Sequence, residues 1–442
     1  MILEQIDLTN FRCFERLKVP LDRYLNVFVA GNGAGKTTIL DAVALLLAPI
    51  LTRLPLEKAA NVPSLATYEI RGTGEDQIAP FLHLAAVARI SNSERICWDR
   101  TKFRDASPTT KEQMPADRSE IKELSNYVNR IIDAHNTQSQ TYKLPVFAFY
   151  STNRAVNVPH NRLQKRAVPR SFQRLAGLED ALGAKTDFRR AVGWFDFLEQ
   201  RELREQRDKL ISGPLLSLDA VRNAIAKMLP GVRNPRIDAT SGRFAVDTKD
   251  PHGEDIRLYL DQLSDGYQVM LGVVMDFALR LALANPPDNP GGDPLSAEAI
   301  LIIDEVDLHL HPSWQQRVIP DLRRTFPNTQ LILTTHSPQV ATTVPSESLR
   351  ILSNAQLHSA PAGTEGAEAQ RLLEDVFLVN PRPDTPISND LNEYLRLVDD
   401  RLWDSPRALA LRGKLDAWSK GNEPRLVDAD LQIENMKWEA GK

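Results

Sequence analysis

A glycine-rich run after an apolar stretch is the part of this chain best suited to chemistry. Residues 30–37 read AGNGAGKT and follow the apolar residues 24–29. The glycines let successive backbone N–H groups converge on phosphate oxygens, and the helix predicted for residues 38–47 points its N-terminal dipole at the same anion. We expect Lys36 to reach the β- and γ-phosphates of a nucleoside triphosphate and Thr37 to ligate Mg²⁺. The residues of this predicted phosphate cradle are Gly31, Asn32, Gly33, Ala34, Gly35, Lys36, Thr37 and Thr38.

Two acidic residues end a second apolar run. Residues 299–305 read AILIIDE, which predicts a buried strand with carboxylates at the edge where α/β sheets bind ligands. We expect Asp304 to hold Mg²⁺ through its water shell and Glu305 to orient or deprotonate the water that attacks the γ-phosphate. The alternative is an acidic pair that merely ends a strand, and the cradle upstream argues against it.

A third candidate phosphate contact lies just upstream of the acidic strand. Residues 263–268 read LSDGYQ and open a helix predicted to extend to about residue 284. Such residues at a helix start are commonly an ordinary cap. Their position between the cradle and the acidic strand resembles the signature of ABC-type ATPases, in which Ser and Gly bind the γ-phosphate held by the opposing subunit. The resemblance makes Ser264, Asp265 and Gly266 nucleotide-binding candidates, and an Asp at this place is common in the RecF, SMC and OLD-like branch.

Two more motifs resemble that branch. Residues 306–312 read VDLHLHP, similar to the D-loop region that follows the acidic strand, which implies that Asp307 lies at a dimer interface. Residues 331–338 read LILTTHSP, similar to the switch strand, which implies that His336 contacts the γ-phosphate and takes part in catalysis. A metal pair of His309 and His311 is disfavoured, because no third ligand is evident beside them.

The start of the chain resembles the first hairpin of the same branch. Residues 11–14 read FRCF, and the resemblance places Asn10 and Arg12 near the adenine side of the nucleotide. A Q-loop is hard to assign: Gln77 is a weak candidate, and residues 150–154, YSTNR, look like a strand-end motif of bacterial defence ATPases.

The motif order predicts an α/β fold: an ABC-type P-loop ATPase head with a helical insertion and a C-terminal helical segment. We expect an N-terminal ATPase lobe at residues 1–100 and a mainly helical insertion at 101–255, whose strand near 144–150 belongs to the core. The C-terminal ATPase lobe is expected at 256–358 and a helical segment, a candidate for partner docking, at 359–442.

Composition limits the setting of the protein. The chain has 442 residues, 42% of them hydrophobic, and a formal charge of −4, so it carries no global basic field for nucleic acid. Only Cys13 and Cys97 occur, which suits a reducing cytoplasm rather than a disulfide framework. No run approaches 18 uninterrupted apolar residues and no leader pattern opens the chain, so we expect a cytoplasmic protein without membrane contact.

One local stretch is basic. Residues 154–190 carry nine Lys and Arg against three acidic residues, enough to contact DNA or RNA phosphates. A solvated helix face or a partner surface explains the same stretch equally well, because aromatic residues are sparse in it. The basic members are Arg154, Arg162, Lys165, Arg166, Arg170, Arg174, Lys185, Arg189 and Arg190.

Length, motif order and the missing coiled coil resemble the ATPase subunits of Septu-type and retron-associated antiphage systems, which act with a separate HNH nuclease. The resemblance implies a dimeric switch, a homodimer at least and a higher oligomer as an open alternative, that binds ATP and Mg²⁺, hydrolyses ATP and controls an effector nuclease. The alternative is a RecF-like repair ATPase that clamps DNA directly. Residues 428–430, DAD, resemble a Toprim nuclease motif, but the segment is too short and lacks the Glu-Gly strand opening, so we expect no intrinsic nuclease.

Overall fold

Apolar strands and helices build two units, Met1–Phe377 and Leu378–Lys442. The structure is a computed structural model that describes residues 1–56, 62–74, 77–107, 121–137, 142–152, 174–183, 188–250, 252–286 and 292–440. The strands are β1 (Ile2–Phe11), β2 (Phe14–Pro20), β3 (Leu25–Val29), β4 (Gly72–Gly74), β5 (Gln77–Ile78), β6 (Phe81–Arg89), β7 (Arg95–Phe103), β8 (Val146–Tyr150), β9 (Arg233–Ile237), β10 (Phe244–Lys249), β11 (Asp255–Tyr259), β12 (Ala299–Ile303), β13 (Thr329–Thr335), β14 (Leu349–Ser353) and β15 (Gln356–Ser359).

Helices alternate with these strands in the first unit and fill the second. In chain order they are Lys36–Arg53, Lys122–Asn136, Phe188–Arg207, Leu216–Met228, Asp265–Ala284, Pro312–Gln315, Val318–Thr325, Pro338–Ala341, Ala369–Asp375, Pro386–Asp399, Pro406–Ser419 and Pro424–Ala440. We call Lys36–Arg53 the cradle helix and Asp265–Ala284 the signature helix.

A six-stranded sheet of order β15-β14-β3-β13-β12-β8 forms the centre of the first unit. Strands β3, β8, β12 and β13 are buried along their whole length, as expected for parallel strands covered on both faces. Pairing is parallel from β8 across to β14, and only β15 runs antiparallel. The carboxyl ends of β3, β12 and β13 therefore meet at one edge, which carries the cradle, the acidic pair and the switch residues.

A four-stranded antiparallel sheet, β2-β1-β6-β7, stands beside the central sheet. Its strands alternate: Ile6, Leu8 and Trp98 face the core, fully or almost fully buried, while polar side chains occupy the opposite face. The turn between β1 and β2 brings Cys13 and Phe14 to the cradle.

The region expected to be a mainly helical insertion, 101–255, has a small sheet beside its helices. It contains a three-stranded antiparallel sheet of order β11-β10-β9, next to the helices Phe188–Arg207 and Leu216–Met228. Phe244, Ala245 and Val246 are buried at the start of β10, inside a stretch rich in charge. The expected boundaries at 100, 255 and 358 fall inside β7, β11 and β15. Each of these strands stays paired with its neighbour beyond the expected boundary.

The unit Leu378–Lys442 has its own small core. Leu391, Tyr394, Val398, Leu411 and Leu415 are buried at its centre. Its first two helices each begin with proline after a capping hydroxyl, Thr385 or Ser405, that accepts a backbone N–H. The unit begins at residue 378 rather than at the expected 359, because the helix Ala369–Asp375 belongs to the first unit.

Among the described residues, one helix is long and apolar enough to cross a membrane by length and composition. It is the signature helix, and 83% of its apolar window is buried inside the protein.

Candidate nucleotide-binding site

The cradle connects the end of β3 to the start of the cradle helix. Gly33 and Gly35 have φ values of 74° and 105°, a left-handed backbone that glycine adopts readily. No side chain caps the cradle helix and no acidic residue lies in its first turn. Its N–H groups and positive dipole end are therefore arranged to receive an anion.

The turn between β1 and β2 supports the cradle from one side. A Cβ at Gly35 would lie 2.6 Å from Phe14 Cζ and 2.7 Å from Cys13 Sγ, closer than carbon contacts allow. A Cβ at Gly31 would meet nothing within 4 Å. Of these two positions, only Gly35 is required by packing inside the protein.

Lys36 lies buried within the cradle. Its Nζ donates to the carbonyl oxygens of Ala30, at 2.8 Å, and Gly31, at 3.2 Å. Burial lowers the pKa of the Lys36 ammonium from its ordinary value, although the charges of Glu305 and Asp304 oppose the shift. A poorly solvated ammonium beside the helix start is a suitable partner for phosphate oxygens.

The chain's best candidates for holding Mg²⁺ are an adjacent hydroxyl and carboxylate. Thr37 Oγ1 donates to Asp304 Oδ2 at 2.8 Å, and Thr334 Oγ1 donates to Asp304 Oδ1 at 2.6 Å. Asp304 is only 1% exposed, so both donors contact a carboxylate sheltered from water. Hydroxyl and carboxylate oxygens are the ligands that Mg²⁺ prefers, and this donor set fits that ion.

Glu305 lies beside the predicted switch histidine. Its backbone N–H donates to Thr334 Oγ1 at 2.7 Å, and its φ is 48°, rare for a residue with a side chain. Glu305 Oε1 lies 3.9 Å from His336 Nε2. Strain of this kind persists only when surrounding contacts enforce it, and it clusters at functional sites. The arrangement brings a carboxylate and an imidazole to the same edge as Asp304.

Asp307 joins the D-loop region to the switch strand. Its Oδ1 accepts from Thr335 Oγ1 at 2.5 Å and from the backbone N–H of His336 at 3.3 Å. Within the chain Asp307 therefore positions the segment that carries His336. Its placement at a dimer interface remains a prediction.

The signature residues lie at the start of the signature helix. Ser264 and Asp265 are exposed, and the Ser264 side chain makes no capping hydrogen bond. Gly266 is buried, and a Cβ there would lie 2.6 Å from the carbonyl oxygen of His309. In the part of the chain that the structure describes, no hydrogen bond joins Ser264 or Asp265 to the cradle.

Arg12 is held by two carboxylates. Its guanidinium donates to Asp41 Oδ2 at 2.5 Å and to Glu69 Oε1 at 3.1 Å. Asp41 lies on the cradle helix, where burial raises the pKa of its carboxyl and the Arg12 charge partly opposes that shift. Asn10 and Arg12 both have positive φ, at 52° and 48°. Their predicted nearness to adenine remains a prediction, whereas the structure shows Arg12 fastening the first hairpin to the cradle helix.

Two members of the basic stretch have structural partners. Arg174 donates to the carbonyl oxygens of Ala284, at 2.7 Å, and Tyr142, at 2.5 Å. Arg190 donates to those of Ala176, at 3.0 Å, and Glu179, at 2.7 Å. These arginines hold carbonyl groups of the fold, and contact of the basic stretch with nucleic acid stays a prediction. Residues 154–173 and 184–187 of the stretch lie outside the described residues.

The remaining candidates do not join the site. Gln77 is exposed in the short strand β5, and residues 153 and 154 of the strand-end motif lie outside the described residues. His311 caps the helix that follows it by accepting the N–H of Ser313. Within the described ranges, no group of His, Cys, Asp and Glu forms a metal cluster.

Sequence reasoning missed two members of the site. Thr334 forms hydrogen bonds with both Asp304 and Glu305, and the Asp41 carboxylate accepts a hydrogen bond from Arg12. A polar residue on an otherwise apolar cradle helix was a usable signal for Asp41. For Thr334 the signal was weaker, because threonine is an ordinary strand residue.

Comparisons with known proteins agree with this geometry. The chain is 28% identical to "Retron Ec83 probable ATPase" of Escherichia coli, over 98% of this chain and 87% of that protein. It is 23% identical to "Retron Vc95 probable ATPase" of Vibrio cholerae serotype O1 biovar El Tor, over 84% of this chain and 79% of that protein. A shorter match, 27% identical, covers 36% of this chain and 41% of "Septu protein PtuA" of Bacillus thuringiensis.

These matches confirm the predicted resemblance to retron-associated and Septu-type ATPases, and the strands and helices confirm the predicted α/β class. The family described as "AAA domain, putative AbiEii toxin, Type IV TA system" matches residues 25–342, which include the cradle, signature, acidic pair and switch histidine. The chain therefore belongs to that family of AAA-domain proteins.

Proposed function

We propose that the chain binds and hydrolyses ATP with Mg²⁺ as a dimeric switch. One observation carries the proposal: Thr37, Asp304, Thr334 and Glu305 form a continuous series of hydrogen bonds from the cradle to the acidic pair. Phosphoryl transfer needs mainly positioning and charge neutralisation, and this series supplies fixed groups for both.

Each residue has a defined part in the proposed reaction. Lys36 and the N–H groups of the cradle bind the β- and γ-phosphates, and Thr37 and Asp304 hold Mg²⁺, which neutralises developing charge when it is bound. Glu305 accepts a hydrogen bond from the attacking water and orients it. His336 donates a hydrogen bond to the γ-phosphate from a position that Asp307 maintains.

A second copy of the chain completes each site in this proposal. The exposed Ser264 and Asp265 are directed to the γ-phosphate bound by the opposing protomer, with the start of the signature helix as an anion site. Their exposure and the uncapped start of the signature helix support a homodimer. Association of dimers into a higher oligomer is compatible with the same site.

The biological role follows from the relatives. Because retron ATPases match nearly the whole chain, we infer a cytoplasmic ATPase of a bacterial antiphage system that controls a separate effector nuclease of HNH type. Contact with DNA or RNA through the basic stretch, residues 154–190, is part of the proposal.

Purified full-length chain tests the biochemical proposal. We expect phosphate release from ATP that depends on Mg²⁺, is lost in EDTA and returns when Mg²⁺ is restored. Lys36→Ala should weaken ATP binding by about tenfold or more, because a charge-assisted hydrogen bond is removed. ATP binding and turnover at wild-type levels in Lys36→Ala would contradict the proposed site.

Phage challenge tests the biological role. Cells that carry this gene and its neighbours should resist phage, and both Lys36→Ala and Glu305→Gln should alter that resistance. A RecF-like repair role predicts instead that the same variants change survival after DNA damage and leave phage resistance unaffected.

A further inference from the structure

A buried polar network lies beneath the nucleotide edge of the central sheet, and the reaction proposed above does not use it. Tyr150 ends strand β8, and its hydroxyl donates to Asp276 Oδ2 at 2.7 Å. Arg280 Nε donates to the same oxygen at 2.7 Å. Asp276 and Arg280 belong to the signature helix and are each 6% exposed, and Tyr150 is 3% exposed.

Backbone carbonyl groups complete the network. Arg280 Nη1 donates to the carbonyl oxygens of Gly177, at 3.0 Å, and Glu179, at 2.8 Å. Burial alone would raise the pKa of Asp276, but the charges of Arg280 and Arg190 reverse this and lower it. The Asp276 carboxylate is thus kept ionised inside the protein, and the signature helix has a fixed polar attachment point.

The same tyrosine also touches the acidic pair. The backbone N–H of Asp304 donates to the carbonyl oxygen of Tyr150 at 2.9 Å, directly after the parallel pairing of β8 with β12. Tyr150 is therefore bonded through its backbone to the candidate magnesium ligand and through its side chain to the signature helix. Tyr150 is thus the one residue through which a displacement of Asp304 would reach that helix by these hydrogen bonds.

Helix geometry amplifies such a displacement. Ser264 precedes Asp276 by twelve positions, which is about 18 Å along the helix axis. A tilt of about 3° at Asp276 thus moves Ser264 by about 1 Å, enough to make or break a hydrogen bond. Buried ion pairs contribute little net stability compared with apolar packing, so stability alone does not account for this network.

We propose that Tyr150, Asp276 and Arg280 are positioning residues that couple nucleotide at the cradle to the orientation of the signature helix, and hence to dimer closure. The inference rests on the proposed function, because it assigns a regulatory connection to the same site. Coupling of this kind is a free energy shared by two binding events, ATP binding and dimerisation, and each event must strengthen the other by the same factor.

Tyr150→Phe tests the coupling, since it removes one hydroxyl and leaves the ring and the Asp276–Arg280 ion pair in place. In full-length chain carrying Glu305→Gln, we would measure ATP affinity at dilute concentration and dimerisation by sedimentation, with and without Mg²⁺ and ATP. We expect ATP affinity within about twofold of the parent and an ATP-dependent gain in dimerisation reduced about tenfold, within the usual range of coupling factors. In the chain with Glu305 intact, kcat should fall while KM stays within about twofold.

Tyr127→Phe is the matched control. Tyr127 is also buried, at 7% exposure, but lies on the helix Lys122–Asn136 away from this network. The substitution Tyr127→Phe should leave the ATP-dependent gain in dimerisation unchanged. Because the gain is a ratio of dimerisation constants with and without ATP, a loss of folded protein that is equal in both conditions cancels from it.

The outcomes separate the two proposals. The coupling is overturned if Tyr150→Phe leaves the ATP-dependent gain in dimerisation unchanged. It is also overturned if a loss of ATP affinity accounts for the whole change in that gain. Either result leaves the proposed function intact. If the Glu305→Gln parent binds ATP without dimerising, the dimeric switch itself is wrong and the coupling is overturned with it.

Discussion

At the scale of single residues, Glu305 and Gly35 show how the backbone prepares the site for chemistry. Glu305 is held in a left-handed conformation by a hydrogen bond to Thr334, and Gly35 adopts a φ of 105° with the first hairpin packed against it. At both positions neighbouring elements leave one backbone conformation available, and Gly35 in addition leaves no room for a side chain.

Glu305→Gln is the first prediction. The amide keeps the shape of the side chain but no longer orients or deprotonates water, so turnover should fall about 100-fold or more while ATP binding is retained. Sedimentation with ATP and Mg²⁺ should show accumulated closed dimers. Turnover equal to that of the natural chain would remove Glu305 from its assigned role.

Gly35→Ala tests the packing of the cradle. The added Cβ meets Phe14 and Cys13 and requires a strained backbone, so we expect a loss of about 1–3 kcal/mol of unfolding free energy and a lower Tm. Gly193→Ala is the control, because Gly193 lies inside the helix Phe188–Arg207 with open space around it. That change should instead stabilise the protein by up to about 1 kcal/mol. Equal effects of the two substitutions would contradict the close packing.

At the scale of elements, the central sheet collects chemistry from distant parts of the chain. Strands β3, β12 and β13 run parallel in adjacent places, so their carboxyl ends bring the cradle, the acidic pair and the switch residues together. In the proposed dimer, the exposed start of the signature helix belongs to the site of the opposing protomer.

Mixing two inactive variants tests that arrangement. Lys36→Ala disables the cradle and Ser264→Arg disables the signature, so a mixed dimer contains one site assembled from two intact halves and one doubly damaged site. We expect ATPase activity to return in part when the purified variants are combined, measured by phosphate release. Mixtures as inactive as each parent would show that both halves come from one chain or that the two sites must act together.

At the scale of the whole molecule, the described residues form an ATPase head and a separate three-helix unit. In that unit Asp430 forms an ion pair with Arg412, and Asp430 Oδ2 accepts from Arg412 Nη2 at 2.8 Å. Asp430 therefore has a structural partner, and the expectation that residues 428–430 form no Toprim motif stays a prediction.

The chain alone should hydrolyse ATP and leave DNA intact. Incubation of purified protein with plasmid DNA and Mg²⁺ or Mn²⁺ should show no cleavage, because cutting is assigned to the effector. Robust cleavage that Asp428→Ala abolishes would establish a compact nuclease instead.

Neutralising Arg162, Lys165, Arg166 and Arg170 together should weaken any nucleic-acid binding and flatten its salt dependence by about one unit of slope per lost contact.

The features that could be predicted from the sequence are those contained in a few consecutive residues. The cradle, the acidic pair and the start of the signature helix each occupy a few consecutive residues at a strand or helix end, so spacing and residue type were sufficient to predict them. Buried apolar runs likewise predicted β8 and β12 correctly. The sheet of β9, β10 and β11 was not predicted, because its few buried apolar residues lie among many charged ones and give no clear strand pattern.

The sequence by itself therefore determined which chemical groups this protein carries: a glycine-rich turn with Lys36, two carboxylates after an apolar strand, a Ser-Asp-Gly helix start and His336. Only the tertiary structure decided which groups touch. Thr37 meets Asp304 across 267 positions, Tyr150 meets Asp276 across 126, and Arg12 meets Asp41 across 29. No local pattern contains such pairs, because they arise when strands distant in the chain become neighbours in one sheet and helices pack against its faces.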